Sequence, residues 1–264
     1  MLFGGETAQS YYEEGLTASM KGDLDKAIRY FQRACELDAG LHNARHQIGR
    51  CLLRQGNAEA ALPLLRAVSQ KLPASTAPVL DTGYALLQLG RIDEARKTFS
   101  SLLQVKPDEP RAVMGLAYCA FSKEQWETAV NLVQRSIELG RVQFDTHFLL
   151  ARAADKAGLL DISTAHYKKA EELMTKSIEA TPDQAPGYYL RARVYWALGQ
   201  LNAALDDMET AHTYMQAGRR YFAYNEIFTS QDILTARESL RNSVGQPRGK
   251  EAAVPEIQDS NHGK

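Results

Sequence analysis

The stretch YALLQLGRIDEARKTF, residues 84–99, decides how this chain is read. Its central hexamer, GRIDEA from Gly90, returns in altered form as GDLDKA from Gly22, GNAEAA from Gly56, GLLDIS from Gly158 and GQLNAA from Gly199. Gly22, Gly56 and Gly90 stand 34 residues apart. Two more steps of 34 reach Glu124 and Gly158, and Gly199 follows after 41. Five residues beyond these marks stand Ala27, Ala61, Ala95, Ala129, Ser163 and Ala204. Seven before them stand Gly15, Gly49, Gly83, Ala117, Ala151 and Ala192. Small residues in fixed phase over six units are an internal repeat, which has to be read before any local motif.

Each unit has two amphipathic segments of about 14 residues with apolar side chains at helical spacing. The glycine between them is a helix stop that tolerates a left-handed backbone. The Asp or Asn that follows, as in Asp23 and Asn57, can cap the second helix. Small residues let the two helices approach closely. Large residues nine beyond the glycine (Phe31, Leu65, Phe99, Val133 and Tyr167) fill the space between them. Pro73 and Pro107 end second helices. One such hairpin cannot bury its apolar face, whereas a stack of them can.

This pattern resembles the tetratricopeptide repeat, the family of 34-residue helix–turn–helix units. The resemblance implies an all-α, right-handed α-solenoid. The six units are placed at 8–41, 42–75, 76–109, 110–143, 144–184 and 185–218, after an N-terminal segment of residues 1–7. The fourth has Glu124 in place of the glycine, and the fifth has Ser163 in the alanine column and a second helix about two turns longer. Residues 219–243 read as a degenerate capping helix pair, and residues 244–264, with few apolar side chains and two prolines, as a disordered tail.

Composition narrows the function. The 264 residues are 44% hydrophobic, enough for a large core, and the formal net charge of −1 offers no global attraction to nucleic acid or an anionic membrane. No apolar run approaches the roughly 18 residues of a membrane helix. Cys35, Cys51 and Cys119 are odd in number and lack CxxC spacing, so they read as reduced thiols of a cytoplasmic protein. His42 and His46 are four residues apart but read as straddling a helix start, with no carboxylate at ligand spacing, and no HExxH, phosphate-binding glycine loop or G-x-S-x-G elbow is present. The expectation is therefore no enzyme, no cofactor and no metal.

What remains is surface. In the family it resembles, first helices line a concave groove that takes partner peptides. Ten residues before each mark stand Tyr12, His46, Leu80, Met114, Phe148 and Tyr189; six before stand Leu16, Arg50, Tyr84, Tyr118, Arg152 and Arg193. The two columns are four residues apart and share one helix face. Arg54, Arg111 and Lys156 fall nearby, with Asp81, Asp145 and Asp155 as partial counterweights. Arginine and tyrosine often anchor binding, and guanidinium matches carboxylate. The candidate groove is therefore Tyr12, His46, Arg50, Arg54, Tyr84, Arg111, Tyr118, Phe148, Arg152, Lys156, Tyr189 and Arg193. It suits a protein or peptide partner that mixes acidic and apolar side chains. The competing reading is a self-assembling, homo-oligomeric scaffold that uses its ends or tail.

Overall fold

The computed structural model describes residues 7–218, 220–223 and 226–244. Twelve helices form six consecutive pairs: α1 (Ala8–Met20) with α2 (Leu24–Leu37), α3 (His42–Arg54) with α4 (Ala58–Lys71), α5 (Thr76–Gln88) with α6 (Ile92–Val105), α7 (Pro110–Ser122) with α8 (Trp126–Glu138), α9 (Phe144–Lys156) with α10 (Leu160–Ala180), and α11 (Ala185–Ala197) with α12 (Leu201–Tyr214). The class is all-α. The chain divides between Gly115 and Leu116 into two compact units. No helix among the described residues is long and apolar enough to cross a membrane.

The repeated hexamer is the turn inside each pair. At Gly90 the backbone takes φ 67°, its N–H donates to the Leu87 carbonyl at 3.0 Å, and the Arg91 N–H donates to the Leu86 carbonyl at 2.9 Å. Two orphan carbonyls of α5 are thus satisfied by a left-handed C-cap. Glu124 builds the same turn, with bonds to Phe121 and Ala120, but at φ 58°; among the described residues it alone is a non-glycine with positive φ. The cap expected after the glycine forms only in part. The Asn57 side chain accepts from the Ala60 N–H at 3.2 Å, whereas Asp23 makes no side-chain cap bond.

The small-residue columns are the contact between paired helices. A Cβ built on Gly83 would lie 2.4 Å from Phe99, and one on Gly49 would lie 2.7 Å from Leu65. Phe99 is fully buried and is also pressed from its other side by Gly115, whose Cβ would lie 2.4 Å from the ring. Phe31, Leu65, Phe99 and Val133 are wholly shielded, as are Ala27, Ala61, Ala95 and Ala129 one turn earlier on the same helices. Each large side chain so buried contributes about 1.5–3 kcal/mol. The fifth pair carries the longer second helix, α10, which adds Met174 and Ile178 to the core of the second unit.

The C-terminal cap differs from its expected form. Residues 220–223 and 226–229 are not helical. They form an antiparallel hairpin, β1 (Arg220–Ala223) and β2 (Glu226–Thr229), in which Tyr221 pairs with Phe228. A single helix, α13 (Ser230–Val244), follows, and its Ile233 and Leu240 are fully buried in the core of the second unit. Aromatic and β-branched density explains the switch, since such residues suit a pleated, half-buried surface. Residues 1–6 and 245–264 lie outside the described residues, and with them the expected disordered tail of 244–264, save Val244, which ends α13.

Two substitutions check this packing. Gly83→Ala should cost about 1–3 kcal/mol by overpacking. Adding Phe99→Leu should make the double variant more stable than the sum of its parts by at least about 0.5 kcal/mol in a denaturant double-mutant cycle. Glu124→Gly should raise stability by about 0.5–1 kcal/mol. The release of a left-handed side chain outweighs the entropy that glycine adds to the unfolded chain.

Candidate functional site

In the first unit, Asp81 on α5 is the centre of the first-helix face. Its side chain is buried, and it gathers cations from α3 and α7. Oδ2 lies 2.8 Å from His46 Nε2 and 3.7 Å from Arg50 Nε, and Oδ1 accepts from Arg111 Nη2 at 3.0 Å. Tyr84, one turn along α5, donates its hydroxyl to the Arg111 carbonyl at 2.9 Å, and the Arg111 guanidinium lies over its ring at 5.8 Å. Burial alone would raise the Asp81 carboxyl. The His46 hydrogen bond and the charges of Arg111, His46 and Arg50 outweigh it and hold the group below its ordinary value. One carboxylate thus serves two guanidiniums, and both are substantially exposed, Arg50 at 51% and Arg111 at 41% of the side chain.

In the second unit, the same stoichiometry is met from elsewhere in the chain. Glu226, at the start of β2, places Oε1 3.1 Å from Arg152 Nη1 on α9 and Oε2 2.9 Å from Arg193 Nη1 on α11. Here too burial alone would raise the carboxyl, and the charges of Arg193 and Arg152 hold it down. Arg152 lies over Phe121 at 4.7 Å and over Phe148 at 5.6 Å, while Arg193 lies over Phe148 at 5.1 Å and over Tyr189 at 5.9 Å. Two residues along β2, Phe228 is buried against Tyr189, with centroids 4.3 Å apart, and Tyr221 of β1 stacks on Phe228 at 5.4 Å. The Tyr189 hydroxyl is buried with no hydrogen-bond partner among the described residues, an arrangement that costs about 1–3 kcal/mol.

The sequence-selected residues therefore fall into several groups. His46, Arg50, Tyr84 and Arg111 meet around Asp81; Phe148, Arg152, Tyr189 and Arg193 meet beneath the hairpin. Tyr12 turns to Phe31 at 5.6 Å, inside the first pair. Arg54 donates to the Ser19 carbonyl and hydroxyl, both at 2.9 Å, and so ties α3 to α1. Tyr118 is half-buried and Lys156 is exposed at the end of α9. The expectation that these columns face solvent is corrected for His46, Tyr84, Phe148, Tyr189 and Arg193, all of which are buried. The expectation missed two residues. Asp81 counted only as a counterweight, although it shares the helix face of Tyr84. Glu226 lay in a stretch read as helical.

A third polar cluster lies between α9 and α10. His147 and His166 stack with centroids 5.1 Å apart and their Nδ1 atoms at 2.9 Å, so one ring has to accept there as neutral imidazole. Burial, then the charge of His166, pushes His147 down to about 4. Among the described residues, no three His, Cys, Asp or Glu side chains converge to hold a metal ion.

Known proteins agree on the fold. Family models described as tetratricopeptide repeat match residues 18–81, 52–112, 86–151 and 185–214. DnaJ homolog subfamily C member 3 of Homo sapiens is 24% identical over 248 residues, covering 88% of this chain and 48% of that protein. Tetratricopeptide repeat protein 21A of Mus musculus is 26% identical over 160 residues, covering 60% of this chain and 12% of that one. The chain thus spans about half the length, or less, of these relatives. Among solved structures, Cut9 in the APC/C hetero-tetramer Cut9–Hcn1 is similar with TM-score 0.66 and 18% identity, over 89% of this chain and 44% of that chain. MamA of Desulfovibrio magneticus RS-1 is similar with TM-score 0.54 and 19% identity, over 65% of this chain and 97% of that one.

The Asp81 cluster has a measurable pH signature. Because the folded pKa is depressed, the stability it contributes is complete above the unfolded carboxylate value, about 4, and is lost as pH falls through the folded value. Asp81→Asn should lower stability at neutral pH by about 1–3 kcal/mol, since it removes the buried acceptor that His46 and Arg111 share. The gap to wild type in urea melts should narrow below about pH 4.

Proposed function

Because the chain belongs to the tetratricopeptide repeat family, whose members generally mediate protein–protein interaction, we propose that it is a non-catalytic adaptor that binds a partner segment on the first-helix face. The partner carries at least one carboxylate beside apolar side chains. The observation that carries this reading is the single Asp81 carboxylate shared by Arg50 and Arg111, which leaves exposed positive charge next to the Tyr84 ring. A guanidinium with unused donors recognises carboxylate in a defined plane, and arginines of this kind rank among the side chains that most often dominate interface energy. His46 and Asp81 form a pair of acid–base type, but the other ion-pair partners of Asp81, Arg50 and Arg111, are guanidiniums, which position charge and do not act as nucleophiles.

A second reading is a self-associating scaffold. It is favoured by the likeness to Cut9, a chain solved within a hetero-tetramer. Light scattering over a dilution series separates it from the adaptor reading, because a self-assembly dissociates on dilution without any added partner.

Arg50→Ala tests the adaptor reading, since a glutamate there would face the Asp81 carboxylate. Arg50 is exposed and 3.7 Å from Asp81, so folding should change by no more than about 1 kcal/mol. Affinity for the partner captured from source lysate should fall several-fold, and its dependence on salt should weaken. Full-strength binding by the folded variant moves the site off this face.

A further inference from the structure

The hairpin of residues 220–229 does more than close the stack. End capping is supplied by α13. Ile233 and Leu240 are fully buried, and Arg241 Nε donates to Glu209 of α12 at 2.8 Å. The hairpin leaves this path, and Glu226 reaches the first helices α9 and α11, 74 and 33 residues away in sequence. A purely structural cover would be apolar, because withdrawing a carboxylate and two guanidiniums from water opposes folding unless the match is good. Glu226 is instead set against Arg152 and Arg193, which occupy the same phase of the repeat as the exposed Arg50. The buried, unpaired Tyr189 hydroxyl beneath the hairpin marks the fit as incomplete.

We infer that β2 is a resident ligand of the first-helix face of the second unit: it occupies the seat of a partner strand that carries a carboxylate and, two residues on, an aromatic ring. Successive residues of a strand alternate sides, so positions two apart present both groups to one surface, as Glu226 and Phe228 do. A partner of this chemistry gains access only when the hairpin swings out. The base of the hairpin is suited to that movement. The Gly218 N–H donates to Ser230 Oγ at 3.0 Å, the N–H of Thr229, the last residue of β2, to Asp232 at 2.6 Å, and the Asp232 N–H back to Thr229 Oγ1 at 3.3 Å, so the start of α13 is held without Glu226 or Phe228. This inference rests on the reading of first-helix faces as binding surfaces. It concerns Arg152, Arg193 and Glu226, however, whereas that reading is tested at Arg50 with a different ligand, so either can fail alone.

The test uses the full chain and a fluorescent synthetic peptide, RYFAYNEIFTS, with the sequence of residues 220–230. Glu226→Gln should speed amide exchange in residues 220–229 while α9–α12 stay protected, and should strengthen peptide binding at least tenfold over wild type. The same peptide with its glutamate changed to glutamine should not bind. Unchanged exchange and unchanged peptide affinity in the folded variant would overturn the inference and make the hairpin a fixed part of the fold. If Glu226→Gln does not fold, the wild-type chain decides: excess peptide should accelerate exchange of residues 220–229, and no acceleration would likewise overturn it.

Discussion

The structure depends on one steric contact, a large side chain of each second helix seated where the paired first helix has almost no side chain. Phe31, Leu65 and Phe99 press against Gly15, Gly49 and Gly83 so closely that a single added carbon would overlap them. In the later units the first-helix column becomes Ala117, Ala151 and Ala192, while the large residues at the matching phase are Val133, Tyr167 and the flexible Met208. In the fourth pair the extra methyl of Ala117 goes with a smaller partner, Val133, as close packing requires. The turn glycine has a separate role. It allows the chain to reverse, and Glu124 shows that the reversal survives without glycine at a cost in backbone strain.

Because the second helices are held so tightly by their small-residue partners, the first helices present regular columns on their other side. On that side each unit faces the same electrostatic problem. Two guanidiniums cannot be brought together without a counter-charge, and each unit supplies one carboxylate for two: Arg152 and Arg193 at the same phase of the repeat, Arg50 and Arg111 at different ones. In the first unit the carboxylate is built into the stack as Asp81; in the second it comes from outside the stack as Glu226. The depressed carboxyls and the raised Arg193 guanidinium, for which Glu226 outweighs the effect of burial, express one fact: the charged forms favour each other more than water does.

The fold was legible because a period of 34 is a local constraint repeated six times, so that a single substitution such as Glu124 leaves the phase intact. The arginine and aromatic columns were legible for the same reason. Their partners were not. Periodicity says which residues share a face, but it is silent on which charges meet across helices. Asp81 sits one turn from Tyr84, within the reach of that argument, yet its burial follows only from having α3 and α7 on either side. Glu226 is beyond it, since it lies past the last intact unit in a segment whose helical phase has lapsed. The aromatic and β-branched residues of 220–229 were the available signal for strands, and that signal was overridden by the expectation that a helical repeat ends in a helix.

The comparison of the two units separates what the repeat encodes from what the rest of the chain adds. Both units bring two guanidiniums to the first-helix face, the second unit from one repeat column (Arg152 and Arg193) and the first from two (Arg50 and Arg111). Whether that face is open to a ligand depends on the source of its counter-ion. A carboxylate fixed on a first helix, like Asp81, lies within the wall and leaves the arginines exposed above it. A carboxylate carried on a strand, like Glu226, brings backbone and an aromatic ring with it, and these cover the wall. The same two-to-one charge balance therefore yields an exposed surface in one unit and a filled one in the other, and the difference arises from chain topology rather than from the arginine columns themselves.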